Sequence, residues 1–209
     1  GSRSYYVRGT FTARNTDFDK DVLALADAGF DQISMEPVVT EIPDLQIKDE
    51  HLQAIFDSYD RLATVYLDRR EHAETWFNFF HFMMDLDGGP CVSKRLTGCG
   101  SGCEYLAITP DGDVYPCHQF AEDRAYRIGS IFGGELDERV REPFARNIVT
   151  RKQDCDRCPA KYYCSGGCVA NNLHYAGAAD KPYSISCAMM RKRFELSLAI
   201  AAIEAARQA

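Results

Sequence analysis

The sequence predicts an α/β unit at the start of the chain, followed by a small α+β unit that is rich in cysteine. Two β-prone runs flank an amphipathic helix near the start, all nine cysteines lie between Cys91 and Cys187, and a hairpin signature stands among those cysteines. The sequence "DGGP" (Asp87 to Pro90) interrupts the pattern. We therefore predict two domains, residues 1–88 and 89–209.

A strand–helix–strand unit opens the chain. The segments "YYVRGTFT" (residues 5–12) and "DQISMEPVV" (residues 31–39) are rich in β-branched and aromatic residues. Between them Phe18, Val22 and Leu25 recur at helical spacing. This order predicts two parallel strands joined by a right-handed crossover.

Polarity alternates along both predicted strands. One face is apolar, and the other carries five polar side chains: Arg8, Thr10, Thr12, Ser34 and Glu36. A flat parallel sheet covered by helices would be apolar on both faces, so the polar row indicates the inside of a barrel that holds a polar ligand. Two strands cannot close a barrel, and we expect the chain to be the C-terminal part of a larger protein.

Two more helices are predicted before the domain division. The first is a long amphipathic helix between Leu52 and Tyr66. The second is a helix with a core-facing stripe made of large side chains: Trp76, Phe79, Phe80 and Met83.

Charge and hydropathy exclude several functional classes. A net charge of -7 gives no broad cationic surface for nucleic acid. No apolar run reaches the roughly 18–20 residues that a membrane span needs, and no signal peptide is visible. We expect a cytoplasmic protein, in which nine cysteines indicate metal ligands or reactive thiols rather than disulfides.

The cysteines form a spaced frame of eight with one spare. A hairpin signature around Gly112, "YLAITPDGDVYP" (residues 105–116), would return Cys117 to the neighbourhood of Cys99 and Cys103. The segment "CDRCPAKYYCSGGC" then adds four cysteines, and Cys187 follows before a C-terminal helix. Eight thiols make two sets of four, which would fit either two zinc ions or two iron–sulfur clusters. The glycines of "CSGGC" allow the close backbone approach that a cluster needs, so clusters are favoured and zinc stays open as the alternative.

The cysteine pattern resembles the SPASM domain of radical SAM enzymes. It reads C-x3-C-x8-G-x4-C from Cys99, C-x2-C-x5-C-x3-C from Cys155, and then Cys187. The strands before it resemble the end of the partial radical SAM (β/α)6 barrel. Within this family, "VRGTFT", "ISMEPVV", "GPCVSKRLTGCGSGCEYLAITPDGDVYPCHQF" and "CSGGC" are most similar to SCIFF-peptide maturases, which are sactipeptide-type enzymes.

The resemblance implies two auxiliary 4Fe–4S clusters. The implied ligands of the first are Cys99, Cys103, Cys117 and Cys168, and those of the second are Cys155, Cys158, Cys164 and Cys187. The polar strand residues Arg8, Thr10, Thr12, Ser34 and Glu36 are candidates for contacts to S-adenosylmethionine. The spare Cys91 is a buried small apolar residue, an alternative ligand or a thiol near the substrate channel.

The resemblance also implies a peptide maturase that joins a cysteine sulfur to an α-carbon of a ribosomally made precursor peptide. A ferredoxin or flavodoxin would donate electrons. A third 4Fe–4S cluster, held by a C-x3-C-x2-C loop, would cleave S-adenosylmethionine in the full-length enzyme; the loop is absent here, so we expect this chain alone to be inactive.

Two rival functions stay open from the sequence. One is an anaerobic sulfatase maturase that forms formylglycine, a family that has an aspartate at the position of His118. His118 is therefore either a candidate proton acceptor or a hydrogen-bond partner near a cluster. The other rival is a non-enzymatic zinc or iron–sulfur module.

Overall fold

A computed structural model describes residues 5–86, 88–89, 91–121 and 123–208. They pack as two compact units. The first extends to Gly89 and takes in the chain again from Ala188, and the second extends to Cys187. The predicted second domain, 89–209, differs from this because residues from Ala188 onward pack with the first unit. Asp87 and Pro90 of the predicted boundary lie outside the described residues.

The first unit is α/β, as predicted. Its elements before the cysteines are β1 (Val7–Phe11), α1 (Phe18–Asp27), β2 (Gln32–Pro37), α2 (Asp49–Arg69) and β3 (Asn78–Phe79). The strands form one sheet in the order β1-β2-β3, and both pairings are parallel. Three strands leave this sheet open, so the described residues contain no closed barrel.

Close packing explains why the first strands adopt their register. Val7 pairs with Ile33 and Gly9 pairs with Met35. A Cβ atom at Gly9 would lie 2.6 Å from the Met35 sulfur, so glycine at this position leaves room for the methionine side chain as it lies across the strand. Phe11 stacks on Phe18 of α1 at 4.5 Å between ring centroids and joins the sheet to its crossover helix.

The segment after α2 is a strand, and the predicted second helix is wrong. Of its proposed apolar stripe only Phe79 is buried. Phe77 and Phe79 alternate into the core instead, while Asn78 pairs with Gln32 of β2. The exposed edge of β2 offers backbone hydrogen bonds to this segment, and that long-range pairing outweighs the helical spacing of the aromatic residues.

The second unit has little regular secondary structure. Its helices are α3 (Val92–Thr97), α4 (Glu138–Ala145), α5 (Lys161–Cys164) and α6 (Val169–Asn171), and its strands are β4 (Ala107–Ile108), β5 (Asp113–Tyr115) and β6 (Gly129–Ser130). The predicted hairpin is confirmed, because β4 and β5 are antiparallel around a turn in which Gly112 has φ +82°. The sequence did not predict β6, which pairs with β5.

The last element is α7 (Ser184–Gln208), the predicted C-terminal helix. Cys187 lies in its first turn. From Ala188 onward α7 contributes to the first unit, where Lys192 forms an ion pair with Asp60 of α2 at 2.6 Å. None of the helices in the described part of the chain combines the length and apolar character that crossing a bilayer requires.

Candidate metal centre

The loop that carries Cys99 and Cys103 is joined to the end of the hairpin. The backbone amide of Gly102 and the hydroxyl of Ser101 both donate hydrogen bonds to the Pro116 carbonyl, at 2.9 and 3.1 Å. Pro116 directly precedes Cys117. The hairpin therefore returns Cys117 to the loop that carries the earlier cysteines, as its turn signature predicts.

Cys99, Cys117 and Cys168 are electrostatic neighbours. Burial raises the pKa of the Cys117 thiol, and the charges of Cys168 and Cys99 raise it further. Cys168 as a residue is exposed, but desolvation of its thiol by the protein around it raises its pKa, with a further contribution from Cys99. These three residues belong to the set that the resemblance implies for the first cluster.

A second neighbourhood contains the other cysteines. Burial raises the pKa of Cys155, and the nearby Cys164 and Cys158 act in the same direction, whereas Lys152 lowers it. Cys187 is also an electrostatic neighbour of Lys152. The second implied ligand set therefore surrounds a lysine that the sequence analysis did not single out.

A tight left-handed turn separates Cys164 from Cys168. Ser165, Gly166 and Gly167 have φ of 58°, 82° and 80° in succession. The Ser165 hydroxyl anchors the turn by donating to the Lys94 carbonyl at 2.6 Å. Three consecutive positive φ angles change the chain direction, so cysteines four positions apart reach different neighbours.

The chemistry of the donors fits iron–sulfur clusters. All nine cysteines are free thiols, and the two implied sets contain no carboxylate or imidazole. Thiolates are the ligands that such clusters prefer. In the part of the chain that is described, no three His, Cys, Asp or Glu side chains come together as a site for one metal ion.

The predicted polar row lies on one face of the first sheet. The register places Arg8 beside Ser34 and Thr10 beside Glu36. Arg8 and Thr10 are exposed, Thr12 is partly buried and Ser34 is buried. The shared face is as expected, and contact with S-adenosylmethionine stays a prediction.

Glu36 belongs to a buried network that the sequence analysis missed. The Tyr59 hydroxyl lies 2.8 Å from His81 Nδ1, and His81 Nε2 lies 3.1 Å from Glu36 Oε1. Because an ionised carboxylate can only accept, we place the proton of the neutral ring on Nε2, and Nδ1 accepts from the Tyr59 hydroxyl. The Ser34 hydroxyl donates to Glu36 Oε1 at 3.2 Å, and Arg193 lies 4.0 Å from Glu36 Oε2. The carboxylate is therefore held from both sides.

Burial and charge set the protonation states of this network. His81 is fully buried, and burial together with the charge of Arg193 lowers its pKa to about 4. Burial acts to raise the pKa of Glu36, but His81, Arg193 and Ser34 outweigh it and lower that pKa to about 2. Burial raises the pKa of the Tyr59 hydroxyl. At neutral pH the network consists of a carboxylate, a neutral imidazole and a neutral phenol.

His118 is exposed beside Cys117, and both ring nitrogens have partners. Nδ1 lies 3.2 Å from the Tyr105 hydroxyl, and Nε2 lies 2.9 Å from the Gln119 side-chain nitrogen. Because an amide nitrogen only donates, Nε2 accepts and the neutral ring carries its proton on Nδ1. This arrangement orients the imidazole, and its role stays a prediction.

Cys91 is exposed, which corrects its interpretation as a buried apolar residue. It precedes α3, and its carbonyl accepts a hydrogen bond from the Arg95 amide at 3.0 Å. The other interpretations of this thiol, as an alternative ligand or as a group near the substrate, stay predictions.

Comparisons with known proteins agree with this geometry. Residues 99–159 match the SPASM family, described as an iron–sulfur cluster-binding domain. The antilisterial bacteriocin subtilosin biosynthesis protein AlbA of Bacillus subtilis (strain 168) is 29% identical over 92 residues, which cover 41% of this chain and 20% of that protein. The chain thus spans about a fifth of this relative.

A solved structure shares the fold. Native anSMEcpe with bound AdoMet and Cp18Cys peptide superposes with a TM-score of 0.62 at 14% identity, covering 98% of this chain and 58% of that one. This likeness agrees with the predicted fold class. Together the three matches confirm the resemblance predicted from the sequence, that of a radical SAM/SPASM peptide maturase.

Proposed function

We propose that this chain holds two auxiliary 4Fe–4S clusters of a radical SAM enzyme that joins a cysteine sulfur to an α-carbon in a ribosomally made peptide. The proposed ligands are those implied by the resemblance: Cys99, Cys103, Cys117 and Cys168 for the first cluster, and Cys155, Cys158, Cys164 and Cys187 for the second. The observation that supports the proposal is the grouping of the cysteines: Cys168 and Cys99 interact with Cys117, and Cys164 and Cys158 interact with Cys155.

The thiol side chains would bind the clusters in two different environments. When bound, such clusters supply one-electron transfer. Cys99 and Cys103 are exposed, so a peptide could approach the first set, whereas no cysteine of the second set is exposed. This contrast supports substrate positioning at the first set and electron transfer at the second.

The polar strand face would bind S-adenosylmethionine. Arg8 and Thr10 are exposed on that face and free to meet a ligand, whereas Glu36 is already held by His81 and Ser34. We therefore assign direct ligand contacts first to Arg8 and Thr10. The buried network would keep Glu36 ionised and fixed beside them.

The partners follow from the same proposal. A precursor peptide is the substrate, as suggested by the role of AlbA in subtilosin biosynthesis and by the peptide bound to anSMEcpe. A ferredoxin or flavodoxin in the cytoplasm would donate electrons, and the whole protein would supply the third cluster that cleaves S-adenosylmethionine.

A formylglycine-forming enzyme is the second candidate. That family has an aspartate at the position of His118, and this difference counts against the candidate. In its favour, the imidazole of His118 is exposed next to Cys117 and contacts Tyr105 and Gln119. In this candidate the imidazole would take the place of the aspartate as the proton acceptor.

Mass spectrometry of peptide products separates the two candidates. The full-length enzyme is incubated anaerobically with S-adenosylmethionine, a reductant and candidate precursor peptides. We expect a product that has lost two hydrogens and carries a sulfur-to-carbon cross-link. An aldehyde in place of the cysteine side chain would refute the thioether proposal and support the second candidate.

A further inference from the structure

Lys152 is a lysine inside the cysteine-rich unit with almost no access to solvent. Its exposed fraction is 1%, and its ammonium donates a hydrogen bond to the Gly166 carbonyl at 2.9 Å. The Asn172 side-chain amide donates to the same oxygen at 3.1 Å. The lysine therefore reaches the left-handed turn that separates Cys164 from Cys168.

The ammonium of Lys152 lacks a carboxylate partner among the described residues. Burial of a charge of this kind is unfavourable unless an anion compensates it, and burial accordingly lowers the pKa of Lys152. The groups that interact with it electrostatically are Cys155, Cys164 and Cys187, together with Asp180. Three of these four groups are thiols of the second implied set, and Cys168 of the first set also interacts with the ammonium.

We propose that Lys152 is a positioning residue of the second cluster: its buried ammonium offsets the negative charge of the thiolate ligands, and its bond to Gly166 fixes the turn that divides the two ligand sets. The inference rests on the proposed binding of two clusters. A positive charge near a cluster stabilises the reduced form, which carries one more electron. Lys152 therefore raises the reduction potential of the second cluster.

The side chain of Lys152 contributes both a charge and a stem that packs against Gly166, and these two contributions can be separated by substitution. A Cβ atom at Gly166 would lie 2.6 Å from Lys152 Cδ, so the lysine stem fills the space beside the turn. Methionine has a similar unbranched stem without the charge, and Lys152→Met should keep most of this packing while it removes the ammonium. The variant therefore isolates the electrostatic part.

The test is a redox titration of the anaerobically purified, iron-loaded protein, followed by electron paramagnetic resonance. Lys152→Met should make reduction of the second cluster about tenfold less favourable, a fall of about 59 mV for one electron. The first cluster, of which only Cys168 interacts with Lys152, should shift less. The matched control is Lys181→Met, which removes the same charge from an exposed lysine of the same unit and should give a much smaller shift.

Each outcome decides the inference. Full iron content with an unchanged potential in Lys152→Met would overturn it. If that variant loses the second cluster, Lys152→Arg decides: retained iron and a near wild-type potential support the role of the charge, and equal loss overturns it. If the wild-type protein holds no second cluster, both the proposed function and this inference are overturned. If the wild type holds both clusters and the Lys152 variants keep its reduction potentials, this inference alone is overturned.

Discussion

The two compact units of this protein are stabilised in different ways. The first packs a parallel sheet against long helices around buried aromatic side chains such as Phe11 and Phe79. The second has strands of two or three residues and helices of three to eight residues before α7. A core of this kind can stabilise the first unit without a ligand, whereas so little regular structure suits a unit whose folding is coupled to a metal group.

Removal of iron should have the largest effect of the changes considered, because it should destabilise the second unit and leave the first unit folded. We expect the second unit to become sensitive to proteolysis between Cys91 and Cys187, because the free energy of metal binding contributes directly to its folding. The first unit should stay resistant. Limited proteolysis of iron-loaded and iron-free protein, with fragments identified by mass spectrometry, measures the difference, and equal resistance of both units would contradict it.

Two neighbouring cysteines should affect different clusters. Cys164→Ala should remove the second cluster and Cys168→Ala the first, each lowering the iron content from about eight to about four atoms per chain. Electron paramagnetic resonance identifies the cluster that is lost. Cys91→Ala is the control and should retain all the iron. Loss of the same cluster from both variants would show that these two cysteines serve one site.

The buried network should affect only the first unit. Tyr59→Phe removes the donor to His81 Nδ1 and leaves that nitrogen buried without its partner. We expect a loss of about 1–3 kcal/mol in the free energy of unfolding of this unit, with unchanged iron content. Denaturant titration followed by near-ultraviolet circular dichroism measures the loss, and a drop in iron content would contradict the separation of the two units.

The pH dependence of the first unit should be smaller but has a definite sign. The pKa of His81 is about 4 in the folded protein against an ordinary 6.5, so between these values the unfolded chain binds a proton that the folded chain does not. Stability should therefore fall as the pH falls from about 6.5 towards 4. Below about 4.5 Glu36 adds to this loss, because its pKa is about 2 when folded.

His81→Gln is the matched test of that dependence. It removes the titrating ring while keeping a side chain that can hydrogen-bond. The denaturation midpoint of the variant should change less between pH 7 and pH 5 than that of the wild type. An equal change in both would show that other groups account for the acid sensitivity.

The contrast between the units also explains how much could be predicted. Strands β1 and β2 and helices α1 and α2 follow from local periodicity, since each buries one face. The hairpin follows from the turn chemistry at Gly112, and the cysteine spacing predicted the resemblance to the SPASM domain, which residues 99–159 match. Strand β3 was predicted wrongly as a helix, because its conformation depends on pairing with β2, which lies more than thirty residues earlier.

The charged interior residues could not be predicted for a similar reason. Lys152 stands three residues before Cys155 with no motif of its own, and its role depends on the turn at Gly166. His81 meets Tyr59 and Glu36 only after α2 and the sheet have packed. The alternation of Phe77 and Phe79 is the one local signal that could have identified β3 and the residues beside it.

The metal content of the anaerobically purified protein tests the central claim most directly. Iron and zinc are measured by elemental analysis, together with acid-labile sulfide. Two 4Fe–4S clusters predict about eight iron atoms and about eight sulfides per chain, with broad visible absorption. A colourless protein with about two zinc atoms and no sulfide would contradict the account.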